Sequence, residues 1–396
     1  MSSPVREPGS GSANATAVPG KAPDDASAKP GIGDRYRLWW DALSRPAQWA
    51  IGVPFIILIG LMPAWAPGFL QTETYDLGTV MAQFGQYALI AIGLNVVVGQ
   101  TGLLDLGYVG FFAVGAYTVA LVTAPTSPLK LQWSWLAAVP IAILITSVSG
   151  LILGSPTLRL RGDYLAIVTL GFGEIVRLLA ENLRSLTGGG GGMNNLGYPH
   201  WFTTDAKPNG TFSQVNFALP FTAGTWWFWL CVVLIVAILM LVGNLERSRV
   251  GRAWVAIRED EDAAEIMGVP TFKFKLWAFV IGAAIGGLSG AIYAGQVQSI
   301  VPTNFNVVNS MLFLCAVILG GQGNKLGVIV GAFLIVYLPA RFAALTDYRY
   351  LIFGVALMVL MIFRPQGLIP VRQKLLAGAR RIYQAARRQH GTGASA

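Results

Sequence analysis

Ten apolar stretches constrain this chain more than any motif it carries. Each is close to the roughly 17–25 residues that a helix needs to cross a bilayer. They fall at about 48–67, 77–99, 103–124, 134–154, 164–183, 225–245, 276–297, 307–322, 326–343 and 350–364, the last four with the least sharply defined ends. Only 12% of the 396 residues are charged, against about 25% in an ordinary soluble domain. That leaves too little polar surface to solvate a globule. In hydrocarbon every backbone polar group has to be satisfied within its own segment, which helices achieve. The chain therefore reads as an all-α polytopic membrane protein with about ten transmembrane helices.

Short loops rich in Lys and Arg face the cytoplasm, and this rule orients the spans. The N-terminal tail holds Arg6, Lys21, Lys29, Arg35, Arg37 and Arg45, and Arg159 and Arg161 follow the fourth span. Arg247, Arg249, Arg252, Arg258, Lys273 and Lys275 follow the sixth, and basic residues recur from Arg364 to Arg388. With ten spans all four clusters lie on one side, giving an N-in, C-in topology. The segment 68–76 has Glu73 and Asp76 and no base, and 184–224 has only Arg184 and Lys207 as bases, so both suit the outside. The net charge of +9 is thus a topology signal and requires no nucleic-acid partner.

The same reading divides the chain. Residues 1–47, rich in Ser, Ala, Pro, Gly and Asp, form a disordered cytoplasmic tail without the apolar core of a secretory signal. Residues 48–364 form the transmembrane domain, with an external loop at 184–224 and a cytoplasmic loop at 246–275. Residues 365–396 form a basic cytoplasmic tail. In it Val371 to Arg388 reads either as an interfacial amphipathic helix drawn to anionic lipid or as a disordered basic segment.

Hydrolytic and metalloenzyme chemistry finds few candidate residues. Cys231 and Cys315 both sit in apolar runs and cannot build a disulfide framework. His200 and His390, far apart and without nearby Cys, leave no zinc site and no His-based triad. No metal or cofactor is expected. Glycines instead suggest close helix packing: Gly282, Gly286 and Gly290 recur every four residues, as do Gly323, Gly327 and Gly331. The segments Gly99-Gln100-Thr101-Gly102 and Gly321-Gln322-Gly323 suggest an internal repeat of the kind transporters carry.

The long cytoplasmic segment 246–275 has a readable design. From Glu259 to Met267 the chain favours a helix, with Glu259, Asp260, Glu261 and Asp262 massed where negative charge complements the helix dipole. Gly268-Val269-Pro270 ends it. Ala263, Ile266 and Met267 give that helix a small apolar patch with no lipid to face. It is either a solvated charged loop or a docking helix for a cytoplasmic partner.

At this segment the sequence resembles a known family. Asp262-Ala263-Ala264 followed by Gly268 is similar to the Glu-Ala-Ala, three residues, Gly signature of bacterial ABC importer permeases. Gly251-Arg252-Ala253-Trp254 and Arg258-Glu259-Asp260-Glu261 look more specifically like the LivM-type permeases of branched-chain amino acid transporters. So do Gly102 to Gly110 (GLLDLGYVG), Leu158 to Arg177 (LRLRGDYLAIVTLGFGEIVR) and Arg364-Pro365-Gln366-Gly367-Leu368. The resemblance runs over roughly 77 to 370. It implies an ABC importer permease fold forming half of a translocation pore. The other half would be a LivH-type permease, with two cytoplasmic ATPase subunits and an extracytoplasmic substrate-binding protein. It also implies that Arg252, Arg258, Glu259, Asp260, Glu261, Asp262, Ala263, Ala264 and Gly268 dock the ATPase. ATP itself should not bind here: the phosphate-loop lookalike Gly320 to Leu326 lacks the Gly-Lys-Ser/Thr ending.

Ionisable groups inside spans cost about 2.5–3.5 kcal/mol at the centre on insertion scales, so each needs an account. Glu174 and Arg177, three apart in the fifth span, share a helix face. They form a structural ion pair, or line the cavity, or couple this span to the partner subunit. Asp163 sits at the entrance of that span, as a cap for a helix beginning at Tyr164 or as a gate residue. Asn95, Gln100, Thr101 and Asp105 cluster where the second and third spans meet, and Tyr108 follows. Irregular backbone at membrane depth requires cover by protein or a water-filled cavity, so this is a pathway element or a tight polar hairpin. Asn194 and Asn195 follow the five glycines Gly188 to Gly192, a flexible outer turn that either contacts the binding protein or only spans.

The leading expectation is an ATP-driven permease subunit for leucine, isoleucine and valine. The alternative keeps the mechanism and changes the cargo to urea, short amides or another neutral amino acid. An ion-coupled secondary transporter would need ion-coordinating groups and no ATPase, which the docking segment opposes. An intramembrane enzyme comes last, for want of a nucleophile with an adjacent base.

Overall fold

The computed structural model describes residues 77–160, 162–194, 196, 223–342, 348–363 and 367–368. The tail 1–47, the first candidate span at 48–67, most of the external loop and the stretch 371–388 lie outside the described residues. The described residues open with α1 (Leu77–Leu94), which runs on into a π-helical turn, Asn95–Gln100. Non-helical backbone follows to Gly107, then α2 (Tyr108–Thr123), α3 (Trp135–Thr157) and α4 (Asp163–Asn182). A short α5 (Arg184–Thr187), a 3-10 turn (Gly189–Gly191) and β1 (Met193–Asn194) lead to α6 (Ala223–Arg247). Next come α7 (Arg249–Glu259), α8 (Glu261–Ile266), α9 (Thr271–Val297) and β2 (Ser299–Ile300). A 3-10 turn (Pro302–Phe305) precedes α10 (Val307–Gly320), α11 (Lys325–Arg341) and α12 (Arg349–Phe363).

Every candidate span after the first therefore has a helix on it. Four of the described stretches are long and apolar enough to cross a membrane: Leu77–Gln100, Trp135–Thr157, Trp226–Arg247 and Thr271–Val297. Tyr108–Thr123, Val307–Gly320 and Tyr350–Val359 are shorter apolar helices. The two strands pair antiparallel, Met193 opposite Ile300 and Asn194 opposite Ser299, so the glycine segment 188–192 is tied to the end of α9.

The core is organised around α9, which packs against α1, α2 and α3. Its glycine ladder is the reason. A Cβ on Gly290 would lie 2.1 Å from the Phe112 carbonyl oxygen, and one on Gly287 would lie 2.0 Å from Thr146 Oγ1. Opposite Gly287, a Cβ on Gly115 of α2 would reach the Gly287 carbonyl oxygen at 2.3 Å. Without side chains the backbones come close enough for dispersion contacts that lipid cannot offer. Of the second glycine series, Gly331 lets α11 meet α10, since a Cβ there would lie 2.0 Å from the Ala316 carbonyl oxygen. Polar pins lock the register in a medium without competing water: Trp135 Nε1 donates to the Ala291 carbonyl at 2.9 Å, and Gln86 on α1 hydrogen-bonds Gln296 on α9.

Candidate functional site

The interruption between α1 and α2 is enclosed by protein rather than left open. A π-helical turn adds a residue to the ladder; such turns are rare and are frequent at functional sites. Here Asn95–Gln100 ends on Thr101, whose hydroxyl donates to the Val97 carbonyl at 2.6 Å. The irregular stretch after it has its backbone polar groups supplied by distant helices. Leu106 N–H donates to Thr169 Oγ1 of α4 at 3.1 Å, and Ser310 Oγ of α10 donates to the Leu106 carbonyl at 2.5 Å. Gly107 N–H donates to Asp105 Oδ1 at 2.9 Å. Asp105 is 1% exposed, and its other carboxyl oxygen has no partner among the described residues. Tyr108 is fully buried; its hydroxyl donates to the Gly282 carbonyl at 2.6 Å, and a Cβ on Gly286 would touch its ring at 3.1 Å. Both residues are enclosed inside the subunit.

On the other side of the interruption lies a charged cluster. Asn95 Oδ1 accepts from Gly323 N–H at 2.8 Å, and a Cβ on Gly99 would lie 2.5 Å from the Gly323 nitrogen, so the two suspected repeat segments meet. Gln100 Nε2 donates to Glu246 Oε1 at 2.6 Å, and the other oxygen of Glu246 meets Lys325 Nζ at 2.6 Å. Arg258 Nη1 donates to the Gly99 carbonyl at 2.5 Å.

The expected single helix from Glu259 to Met267 is two helices. Asp260 takes an extended conformation (φ −158°) between α7 and α8, and its carboxylate accepts from Ala263 N–H at 3.0 Å. Aspartate is a strong N-cap residue, so the acidic run contains a helix boundary where uniform helix was expected. Glu261 and Asp262 occupy the first turn of α8, and Gly268 at φ 83° ends it, where a left-handed residue lets Val269 N–H reach the Ala264 carbonyl at 3.0 Å. Ala264 is buried, whereas Ile266 and Met267 are 86% and 82% exposed. Arg252 and Glu259 are exposed on α7. The helix pair is fastened to α9 twice: Trp254 Nε1 donates to the Phe274 carbonyl at 2.7 Å, and Glu261 pairs with Lys275, which is 2% exposed.

On α4 the Glu174–Arg177 pair is present, with Arg177 Nη2 2.5 Å from Glu174 Oε1, and Glu181 joins it at 2.8 Å. Glu174 lies near the middle of the helix. Helical spacing puts these three side chains along one edge of the exposed face, while Tyr164, Ile167, Ile175 and Leu178 line the apolar remainder. The expected cap at Asp163 is corrected: the helix begins at Asp163 itself, preceded by Gly162 at φ 59°.

The sequence of residues 77–362 matches the family model described as branched-chain amino acid transport system / permease component. The chain belongs to this permease family. Among curated relatives it is 38% identical to the high-affinity branched-chain amino acid transport system permease protein LivM of Escherichia coli, over 83% of this chain and 78% of that protein. It is 26% identical to the probable LivM permease of Methanocaldococcus jannaschii, covering 74% of this chain and 93% of the relative. The LivH permease of Salmonella typhimurium is also 26% identical, over 72% of this chain and 91% of its own length. No solved structure gives a significant match.

In this permease the glycine run, expected as a turn, is pinned by its backbone geometry. Gly188, Gly189 and Gly192 adopt positive φ, and a Cβ on Gly192 would fall 2.0 Å from the Ile300 carbonyl oxygen. Asn194 is exposed, and its Oδ1 accepts from Ser299 Oγ at 2.5 Å. Asn195 lies outside the described residues. Sequence reasoning missed Thr169, Ser310, Glu246, Lys325 and Glu181. Glu181 was readable, four residues after Arg177 on the same helix. The others act on segments distant in the chain, and nothing local marks them.

Proposed function

We propose that this chain is the transmembrane permease subunit of an ATP-driven ABC importer for leucine, isoleucine and valine. It forms half of the pore. A homologous LivH-type subunit forms the other half, two ATPase subunits bind at the cytoplasm, and a substrate-binding protein delivers cargo from outside. The observation that carries the reading is a family-wide match joined to a helix pair, α7–α8, that ends on exposed Ile266 and Met267. A short amphipathic helix with bare apolar tips and an acidic first turn suits a groove on a partner protein.

The chain itself performs no covalent step; ATP hydrolysis belongs to the partner ATPase. Ten spans with both termini in the cytoplasm, in a bacterial plasma membrane, place α7–α8 on the ATPase side. The Glu174–Arg177–Glu181 edge of α4 is near mid-helix and partly exposed. Charges at that depth avoid lipid, so this edge faces the pore or the partner permease. Asn95, Gln100, Asp105 and Tyr108, buried inside the subunit, shape the helix interruption that backs the pathway, Asp163 stands at the entrance of α4, and Asn194 lies at the delivery side.

The test is ATP-dependent uptake of labelled leucine and labelled urea into vesicles holding this chain with its partner subunits. Leucine uptake suppressed by excess valine or isoleucine supports the reading. Uptake of urea alone would overturn the cargo, and uptake without ATPase subunits would overturn the mechanism.

A further inference from the structure

Three polar links around the helix interruption form one continuous connection from the α7–α8 pair to α4. The first is Arg258. It is exposed on α7, in the segment expected to meet the ATPase, and its guanidinium at the same time donates to the Gly99 carbonyl at 2.5 Å. That carbonyl lies in the last turn of the π-helical segment, where the ladder ends and leaves carbonyls for side chains to take up. The second link is the irregular strap itself, 102–107, anchored at Gly102, whose N–H donates to the Val98 carbonyl at 3.2 Å. The third is Thr169 of α4, which accepts from Leu106 N–H at 3.1 Å. Thr169 stands five residues before Glu174, on the helix that carries the charged edge.

The surroundings oppose slack in this connection. A Cβ on Gly99 would lie 2.0 Å from Asn95 Oδ1 and 2.5 Å from Gly323 N, so the turn is pressed against the start of α11. A Cβ on Gly107 would lie 1.7 Å from the Thr169 carbonyl oxygen, so the far end of the strap lies directly on α4. Between these tight ends runs backbone with no helical ladder to hold it straight. A π-helical turn relaxing to α-helix shifts everything after it by one residue, about 1.5 Å along the axis and 100° around it. A displacement of α7 therefore has a discrete alternative arrangement into which it can drive the strap, which coupling between distant sites requires.

We propose that residues 99–107 transmit motion of the ATPase-docking helices to α4, with Arg258 and Thr169 as the positioning residues at its two ends. This rests on the reading that α7–α8 docks the ATPase. The strap converts movement at the cytoplasmic face into displacement of the Glu174–Arg177–Glu181 edge.

The test uses the full importer in vesicles and reads two quantities together, ATP hydrolysed and leucine taken up. Arg258→Met removes the donor at similar length, and Thr169→Val removes the acceptor with little change of shape. Thr169→Val should raise the ATP spent per leucine by about five-fold, the loss of one ordinary hydrogen bond, and Arg258→Met by about ten-fold or more, because its donor is charged. Because the two residues act in series, the double variant should be no worse than the worse single one. Arg258→Lys and Thr169→Ser should restore most of the coupling, which separates positioning from general damage to the fold. An unchanged ratio in either single variant, or effects that multiply in the double, would overturn the proposal. A cysteine at Ile266 linked to the ATPase subunit tests the docking reading separately. Failure to cross-link overturns docking and the proposal with it, whereas efficient cross-linking with an unchanged ratio overturns the proposal alone.

Discussion

Gly290→Ala tests whether backbone proximity holds the bundle together. An added Cβ at Gly290 would sit 2.1 Å from the Phe112 carbonyl oxygen and 2.8 Å from the Ala116 nitrogen, both on the backbone of α2. Ordinary contact begins at 3.4 Å, so α9 and α2 would have to separate by about 1.3 Å. No rotamer change relieves a clash with backbone, and the neighbouring contacts at Gly115 and Gly287 would open with it. Overpacking of this kind costs about 1–3 kcal/mol. Gly171 is the control, on the exposed face of α4 with nothing within 4 Å of its Cβ position. Alanine there gains up to about 1 kcal/mol of helix propensity. The assay is thermal unfolding in detergent, followed by reaction of a thiol dye with Cys231, which is buried in the folded chain. Gly290→Ala should lower the midpoint by about 2–4 °C for each kcal/mol lost, and Gly171→Ala should leave it unchanged or raise it. Equal midpoints for the two variants would refute the argument that close backbone contact stabilises this helix pair.

Three further predictions follow from individual contacts. Arg177 neutralises two carboxylates, so Arg177→Gln should reduce folded yield and uptake more than Glu174→Gln does, and Arg177→Gln with Glu174→Gln should recover part of the loss; the reverse order, read by fluorescence-detected size exclusion and leucine uptake, would count against a shared charge cluster. Glu261→Gln leaves the ammonium of Lys275, 2% exposed, buried without its partner, which costs about 3–5 kcal/mol, whereas Glu261→Gln with Lys275→Met should unfold closer to wild type in the same thiol assay. Met267→Asp places a carboxylate on the exposed apolar end of α8 and should lower co-purification of the ATPase by about ten-fold, the effect of roughly 1.4 kcal/mol, while leaving the melting midpoint unchanged.

The helices of this chain were legible because lipid imposes a simple rule: an apolar run of sufficient length becomes a helix. Local chemistry carried the reading a little further. The Glu174–Arg177 pair followed from spacing alone, and the glycines at 282, 286 and 290 announced a close helix contact before any partner was known. The errors occurred where a single residue decided between two local solutions. Asp260 could continue an acidic helix or cap a new one, and the extended conformation it adopts breaks the acidic segment in two. Gly162 could precede a cap or supply the turn itself, and it supplies the turn. The helix interruption lay at an intermediate level. Its glycines and polar residues marked irregular backbone, but its partners Thr169, Glu246, Arg258 and Ser310 come from four separate helices, and Gln100 meets Glu246 across 146 positions of sequence. No periodicity encodes such contacts, because each depends on how whole helices are packed. In a bundle where most side chains are apolar and interchangeable in kind, the unusual backbone decides where the few polar side chains must converge. The π-helical turn and the strap after it expose carbonyl and amide groups that lipid cannot satisfy, and the charged residues of three distant segments gather there as a consequence. Long-range polar contacts thus gather at the place where the sequence rule for a membrane helix fails.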